Sequence, residues 1–184
     1  MNEVDYGPLS GLAGTWQGDK GTDVAPESDG PETNRFTERM VFTGARDVDN
    51  AETQELVSMH YQLEVHRIRD GKLIHHQAGY WIWDTESDLI MHCFSIPRGV
   101  SVVAGGSYQN NADGSITFEI AAGKDDSDWP IAQSPFMRDH AVTTGFRQSL
   151  TLAGNSLRYQ QTTLVDIYEF ERFEHTDENE LIRI

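Results

Sequence analysis

The sequence predicts an all-β chain closed into a single antiparallel β-barrel of about eight to ten strands, on three observations. Apolar and polar residues alternate at a period of two, tight turns join consecutive alternating runs, and helical signals are scarce. Residues 56–68 show the alternation best: Val57, Met59, Tyr61, Leu63 and Val65 hold one parity, and Ser58, His60, Gln62, Glu64 and His66 hold the other. In a strand the two sets face opposite sides of the sheet, one toward a core and one toward solvent.

Taken in order, the chain opens with a short helical turn at YGPLSGLAG and then LAGTWQGDKG, where Trp16 stands between Gly14 and Gly18 with Gly21 three places on. An indole buries a large apolar surface and glycines allow sharp bends and close approach, so this is a strand bending around a packed aromatic that plugs one end of the core. DKGTDVAPESDGPETN (19–34) is rich in Asp, Pro and Gly and reads as a long loop. The strand at 56–68 is followed by RDGK, whose Asp70-Gly71 is a hairpin turn pair, and by LIHHQAGYWIW (73–83). DTESD, PRG and NNADG then separate LIMHCFSI, VSVVAGGSYQ and SITFEIAAG. A second long loop is expected at 123–141, with a short helix at PFMRDHA. FRQSLTL, the turn AGN, and one long strand through SLRYQQTTLVDIYEFERFEH complete the series. The two long loops are expected to flank the barrel's mouth.

A length of 184 residues suits one domain, 1–184. Thirty acidic residues against fourteen basic ones, a net charge of −16, argue against nucleic acid or an anionic membrane as a partner, because both require a basic patch. The single cysteine Cys93, the lack of a basic and apolar leader in MNEVDYGPLS, and the lack of an apolar run near 18 residues together predict a cytoplasmic location.

Seven histidines raise the question of metal binding. His75 and His76 are adjacent, so in a strand at most one faces an interior. His60 and His66 share a face with Gln62 and Glu64, but successive residues on one face are roughly 6.5–7 Å apart and cannot close a coordination sphere alone. There is no HExxH, no cysteine cluster, no G-x-S-x-G and no phosphate-binding loop. Cys93 beside His92 points away from it in a strand, which leaves a buried structural cysteine. Asp125-Asp126 and Asp177-Glu178 lie in turn-like sequence, where solvated carboxylates are the default, and TDEN after His175 reads as a turn.

Four segments together resemble the nitrobindin family of haem-binding, fatty-acid-binding-protein-like barrels, lipocalin/calycin-like in architecture. GPLSGLAGTWQG is similar to the family's opening, LIHHQAGYW to its histidine followed by Gly-Tyr, SIPRGVSVVAGGSY to its Pro-x-Gly strand start, and GNSLRY to its last hairpin. The chain differs in having Gly21 one place later than the family's G-x-W-x-G-x-G, and in Ile96 where nitrobindins tend to carry a histidine. The resemblance implies haem b as cofactor, bound in a wide cleft through a C-terminal histidine that corresponds to His175. It places His75 on the family's other histidine, and the basic residue that seats the haem near Arg138 and His140. It further implies nitric oxide binding and isomerisation of peroxynitrite to nitrate. A small molecule or haem in the cavity is then the expected partner, with a homodimer left open. The alternative is a non-catalytic carrier of a fatty acid or other small apolar ligand, its cavity lined from among Trp81, Trp83, Phe94, Tyr168, Phe170 and Phe173.

Overall fold

The computed structural model describes residues 4–45 and 54–184. After a 3-10 helix at Gly7–Leu12 come β1 (Gly14–Glu27), β2 (Gly30–Gly44), β3 (Leu56–Arg67), β4 (Leu73–Asp84), β5 (Leu89–Ile96), β6 (Val100–Asn110) and β7 (Ile116–Gly123). They are followed by β8 (Ile131–Gln133), α1 (Pro135–His140), β9 (Ala141–Ala153), β10 (Ser156–Ile167) and β11 (Phe170–Arg183). Each strand from β1 to β7 pairs antiparallel with the next, β7 pairs with β9, and β11 returns to β1, which closes a ten-stranded barrel. The short β8 continues the row of β7 alongside β6, pairing with Val100–Val102. Closure leaves few free edges, which an all-antiparallel sheet of this length needs.

The core follows the parities expected from sequence. Met59, Tyr61, Leu63 and Val65 are buried, while His60, Gln62, Glu64 and His66 lie on the outer wall. The 3-10 helix closes one end with Leu9 and Leu12, both fully buried. The β1–β2, β3–β4, β5–β6 and β10–β11 turns gather at the opposite end with α1 and form the mouth.

Four expectations are overturned. Residues 19–34 are not a loop but the extension of β1 and β2, paired out to Glu27↔Gly30 around a turn at Ser28-Asp29. Past Val24 and before Arg35 each strand has only the other as partner, so this hairpin arm tolerates proline, and Pro26 faces Pro31 across it. The long strand ending in FEH is a hairpin, β10 and β11, turning at Tyr168-Glu169, and TDEN lies inside β11 instead of forming a turn. Cys93 is half-buried on the outer wall, while its neighbour His92 occupies the core. The 123–141 segment does hold the expected short helix, capped at its start by Ser134 Oγ, together with β8.

The late glycine has a structural meaning. Between Gly18↔Glu38 and Gly21↔Phe36, β1 carries two residues, Asp19 and Lys20, against the single Thr37 of β2. This is a β-bulge with one extra residue. Beyond it, Gly21 lies flat under the Phe36 ring, where any Cβ would overlap the aromatic carbons. The extra residue also reverses parity, because Trp16 and Gly18 share an inward face with odd-numbered residues after the bulge.

Candidate functional site

That reversal points Asp23 into the barrel. Its register partners are Asn34 on β2 and Asp177 on β11, so two carboxylates stand directly opposite each other on the interior face. Like charges in that relation repel unless something between them is positive. His175, two residues before Asp177 and on the same face of β11, supplies it: Nε2 lies 2.6 Å from Asp23 Oδ1 and 3.7 Å from Asp177 Oδ1. The outer oxygen of each carboxylate is held by an amide. Asn34 Nδ2 donates to Asp23 Oδ2 at 3.4 Å, and Gln161 Nε2 donates to Asp177 Oδ2 at 3.3 Å. Gln148 Nε2 donates in turn to Gln161 Oε1 at 3.2 Å, which extends the network across β9.

Charge and burial act against each other here. Burial pushes the Asp177 carboxyl up to about 6, with His175 opposing and Asp23 adding to the rise. Burial works to lower His175, but the Asp23 hydrogen bond and the charges of Asp177 and Asp23 overcome it and raise its pKa. The imidazole side chain is about 31% exposed, so it is not sealed in the core.

His75 faces inward on β4, and its Nε2 shares a hydrogen bond of 2.8 Å with Gln77 Oε1, while Gln77 Nε2 donates to the Tyr61 hydroxyl at 3.0 Å. Burial lowers His75, the Gln77 bond opposes that, and the nearby charge of His175 lowers it further, so the two imidazoles sense each other. His140 is not brought to this cluster. It is exposed at the end of α1, its ring 4.7 Å from that of Phe136. Of the aromatics expected to line an apolar cavity, Trp81 and Phe94 are core and Tyr168 is exposed.

Deeper in the barrel is a second polar group. Glu38 is buried, with the Tyr159 hydroxyl 3.1 and 3.0 Å from its two oxygens and Asn179 Nδ2 donating to Oε2 at 2.9 Å. Burial pushes its carboxyl up to about 8 against those hydrogen bonds. His92 is fully buried, stacked on Trp81 at 4.5 Å, with no hydrogen-bond partner on either ring nitrogen among the described residues. Burial pushes it down to about 3, so it is a neutral core ring.

Sequence reasoning missed Asp23, Asp177 and their amide partners. The period-two series His175, Asp177, Asn179, Leu181 was the available signal on β11, masked by the turn-like composition of TDEN.

A family profile described as "THAP4-like, heme-binding beta-barrel domain" matches residues 5–183. Among solved structures, the protein of "Crystal Structure of Rv2717c from M. tuberculosis" superposes with a TM-score of 0.70 at 20% identity, covering 96% of this chain and 94% of that one. No curated protein sequence matches. No helix among the described residues is long and apolar enough to cross a membrane.

Proposed function

Because the chain belongs to the THAP4-like, haem-binding β-barrel family, we propose that it holds haem b in the mouth half of the barrel with His175 as the iron's protein ligand, binds nitric oxide there, and isomerises peroxynitrite to nitrate. The observation that supports this most is His175 itself, an inward-facing imidazole on β11 whose side chain stays about 31% exposed. The donor set fits. Iron accepts a single imidazole nitrogen, and His175 offers Nε2 on an inward-facing ring. Apolar walls stand at the same level: Thr163, the partner of His175, is flanked by Phe146, and Val165 pairs with Phe173. Bound haem, which His175 would hold, would supply an iron centre able to take nitric oxide and peroxynitrite.

The remaining roles belong to the chain's own side chains. Asp23 accepts the Nε2 hydrogen bond in this structure, so Asp23 and iron compete for one nitrogen. His75, lowered by burial and therefore neutral, offers a hydrogen bond to a small ligand inside the barrel. Arg138 and His140, both on the exposed α1 at the mouth, are the side chains we assign to the haem carboxylates. The apolar-ligand carrier has less support, since Asp23, Asn34, Gln161 and Asp177 line the interior around His175.

Reconstitution with hemin tests the reading. The wild type is expected to give a Soret band in one-to-one stoichiometry, and His175→Ala to lose it, while an unaltered spectrum in that variant rejects the ligand assignment. Asp23→Asn should tighten hemin binding by about tenfold, since a hydrogen bond to a charged group is worth about 1.5 kcal/mol and need no longer be broken in full. Titration of hemin absorbance into both proteins checks the direction.

A further inference from the structure

We propose that Asp23, His175 and Asp177 form a binding site for one divalent transition-metal ion, of which Zn2+ is the type, in the haem-free barrel. The proposal shares His175 with the haem reading but does not depend on it. It rests on how the three side chains are held. Asn34 occupies Oδ2 of Asp23 and Gln161 occupies Oδ2 of Asp177, so both Oδ1 atoms are turned toward His175 Nε2. All three donor atoms lie within 4.8 Å of one another. Ligands around tetrahedral zinc are about 3.3 Å apart, so Nε2 and Asp23 Oδ1, now 2.6 Å apart, would separate and Asp177 Oδ1, now 3.7 Å from Nε2, would close in.

The electrostatics lead to the same place. Two interior carboxylates face each other across paired strands, and among the described residues neither forms an ion pair with lysine or arginine; the imidazole is their single cationic partner. A metal ion at the point where Nε2 and the two Oδ1 atoms converge would neutralise both. The amide from Asn34 and the amide from Gln161, itself held by Gln148, form the outer shell that metal sites use to orient carboxylate ligands. Three protein ligands of this kind leave a fourth position for water, and the accessible face of His175 is where it would stand.

One nitrogen with two carboxylate oxygens suits zinc and its first-row neighbours. Calcium takes six to eight oxygens, and magnesium keeps most of its water. Because the metal and haem iron would both need His175 Nε2, the ion is expected to hold the barrel in a haem-free state.

Isothermal titration of chelator-treated protein with Zn2+, with Mg2+ as the control cation, tests this. One Zn2+ per chain and no Mg2+ binding is expected. Asp177→Asn should weaken Zn2+ at least hundredfold and Gln161→Ala about tenfold, with circular dichroism and thermal melting confirming that each variant remains folded. Hemin uptake by the zinc-free wild type, read at its Soret band, separates failure of this proposal from failure of the haem reading, and Zn2+ preloaded on the wild type should block hemin uptake. No Zn2+ uptake by the folded wild type, undiminished uptake by Asp177→Asn, or simultaneous binding of Zn2+ and hemin would each overturn it.

Discussion

Replacing Trp16 with alanine is expected to destabilise the barrel by about 3–5 kcal/mol, the range for truncating a fully buried aromatic. Trp16 is 0% exposed and ties three elements together. Its Nε1 donates to the Leu12 carbonyl at 2.8 Å, fastening the 3-10 helix to β1. Its ring carries the Arg183 guanidinium 4.4 Å from the centroid, and Arg183 donates to the carbonyls of Ala13 and Gly11. Since Trp16 pairs with Arg183 across the β1–β11 seam, the substitution removes packing, a buried hydrogen bond and the platform for a cation at the join that closes the ring. At about 2–4 °C per kcal/mol for a chain of this size, melting should fall by roughly 10 °C or more. Trp16→Phe restores much of the area but leaves the Leu12 carbonyl unpaired, so it should recover part of the loss. A change below 1 kcal/mol in urea unfolding of Trp16→Ala would refute this account of the seam.

The seam also shows what a sequence can and cannot disclose. The β3–β4 hairpin was legible because each of its strands has neighbours on both sides, and its alternation therefore runs the full length, down to His75 facing in and His76 facing out. The β1–β2 arm was not, because beyond Val24 and Arg35 it projects past its neighbours, and a two-stranded arm has no core to impose alternation. Asp23 was hidden for a further reason. Its inward direction depends on the single extra residue at Asp19-Lys20, and a one-residue change of register sends every later side chain to the other face. The glycine that stands one place late was visible in the sequence; its consequence for Asp23 required the pairing with β2. On β11, Asp177 and Asn179 looked like turn residues by composition, and only their hydrogen bonds to Gln161 and Glu38 account for polar side chains pointing inward. Polar residues that satisfy one another inside a barrel imitate loop composition.

Those inward polar residues make stability depend on pH in a way that separates Glu38 from His92. Glu38 has its carboxyl raised from 4.5 to about 8, so between those values the folded protein holds a proton that the unfolded chain has released. Stability from this group is fully present below 4.5 and declines as pH rises through about 8, with a slope of about 1.4 kcal/mol per pH unit. His92 has the opposite sign. Its ring is lowered from 6.5 to about 3, so in that interval the unfolded chain binds the extra proton and stability is lost as pH falls. From 4.5 to 6.5 the two slopes oppose and largely cancel, whereas from 6.5 to 8 Glu38 acts without that opposition. Glu38→Gln keeps the shape and can still bond Tyr159 and Asn179, but removes the titration. Between pH 6.5 and 8 the wild type should therefore lose melting temperature relative to Glu38→Gln by about 3–5 °C per pH unit. Between 4.5 and 6.5 the difference between the two profiles keeps the same sign and slope, because the contributions of His92 and Asp177 are common to both proteins and drop out of the comparison. Thermal melts of both proteins across pH 4.5–8 decide the matter: parallel profiles would mean that Glu38 is ionised in the folded barrel and that Tyr159 and Asn179 stabilise a buried charge, not a buried acid.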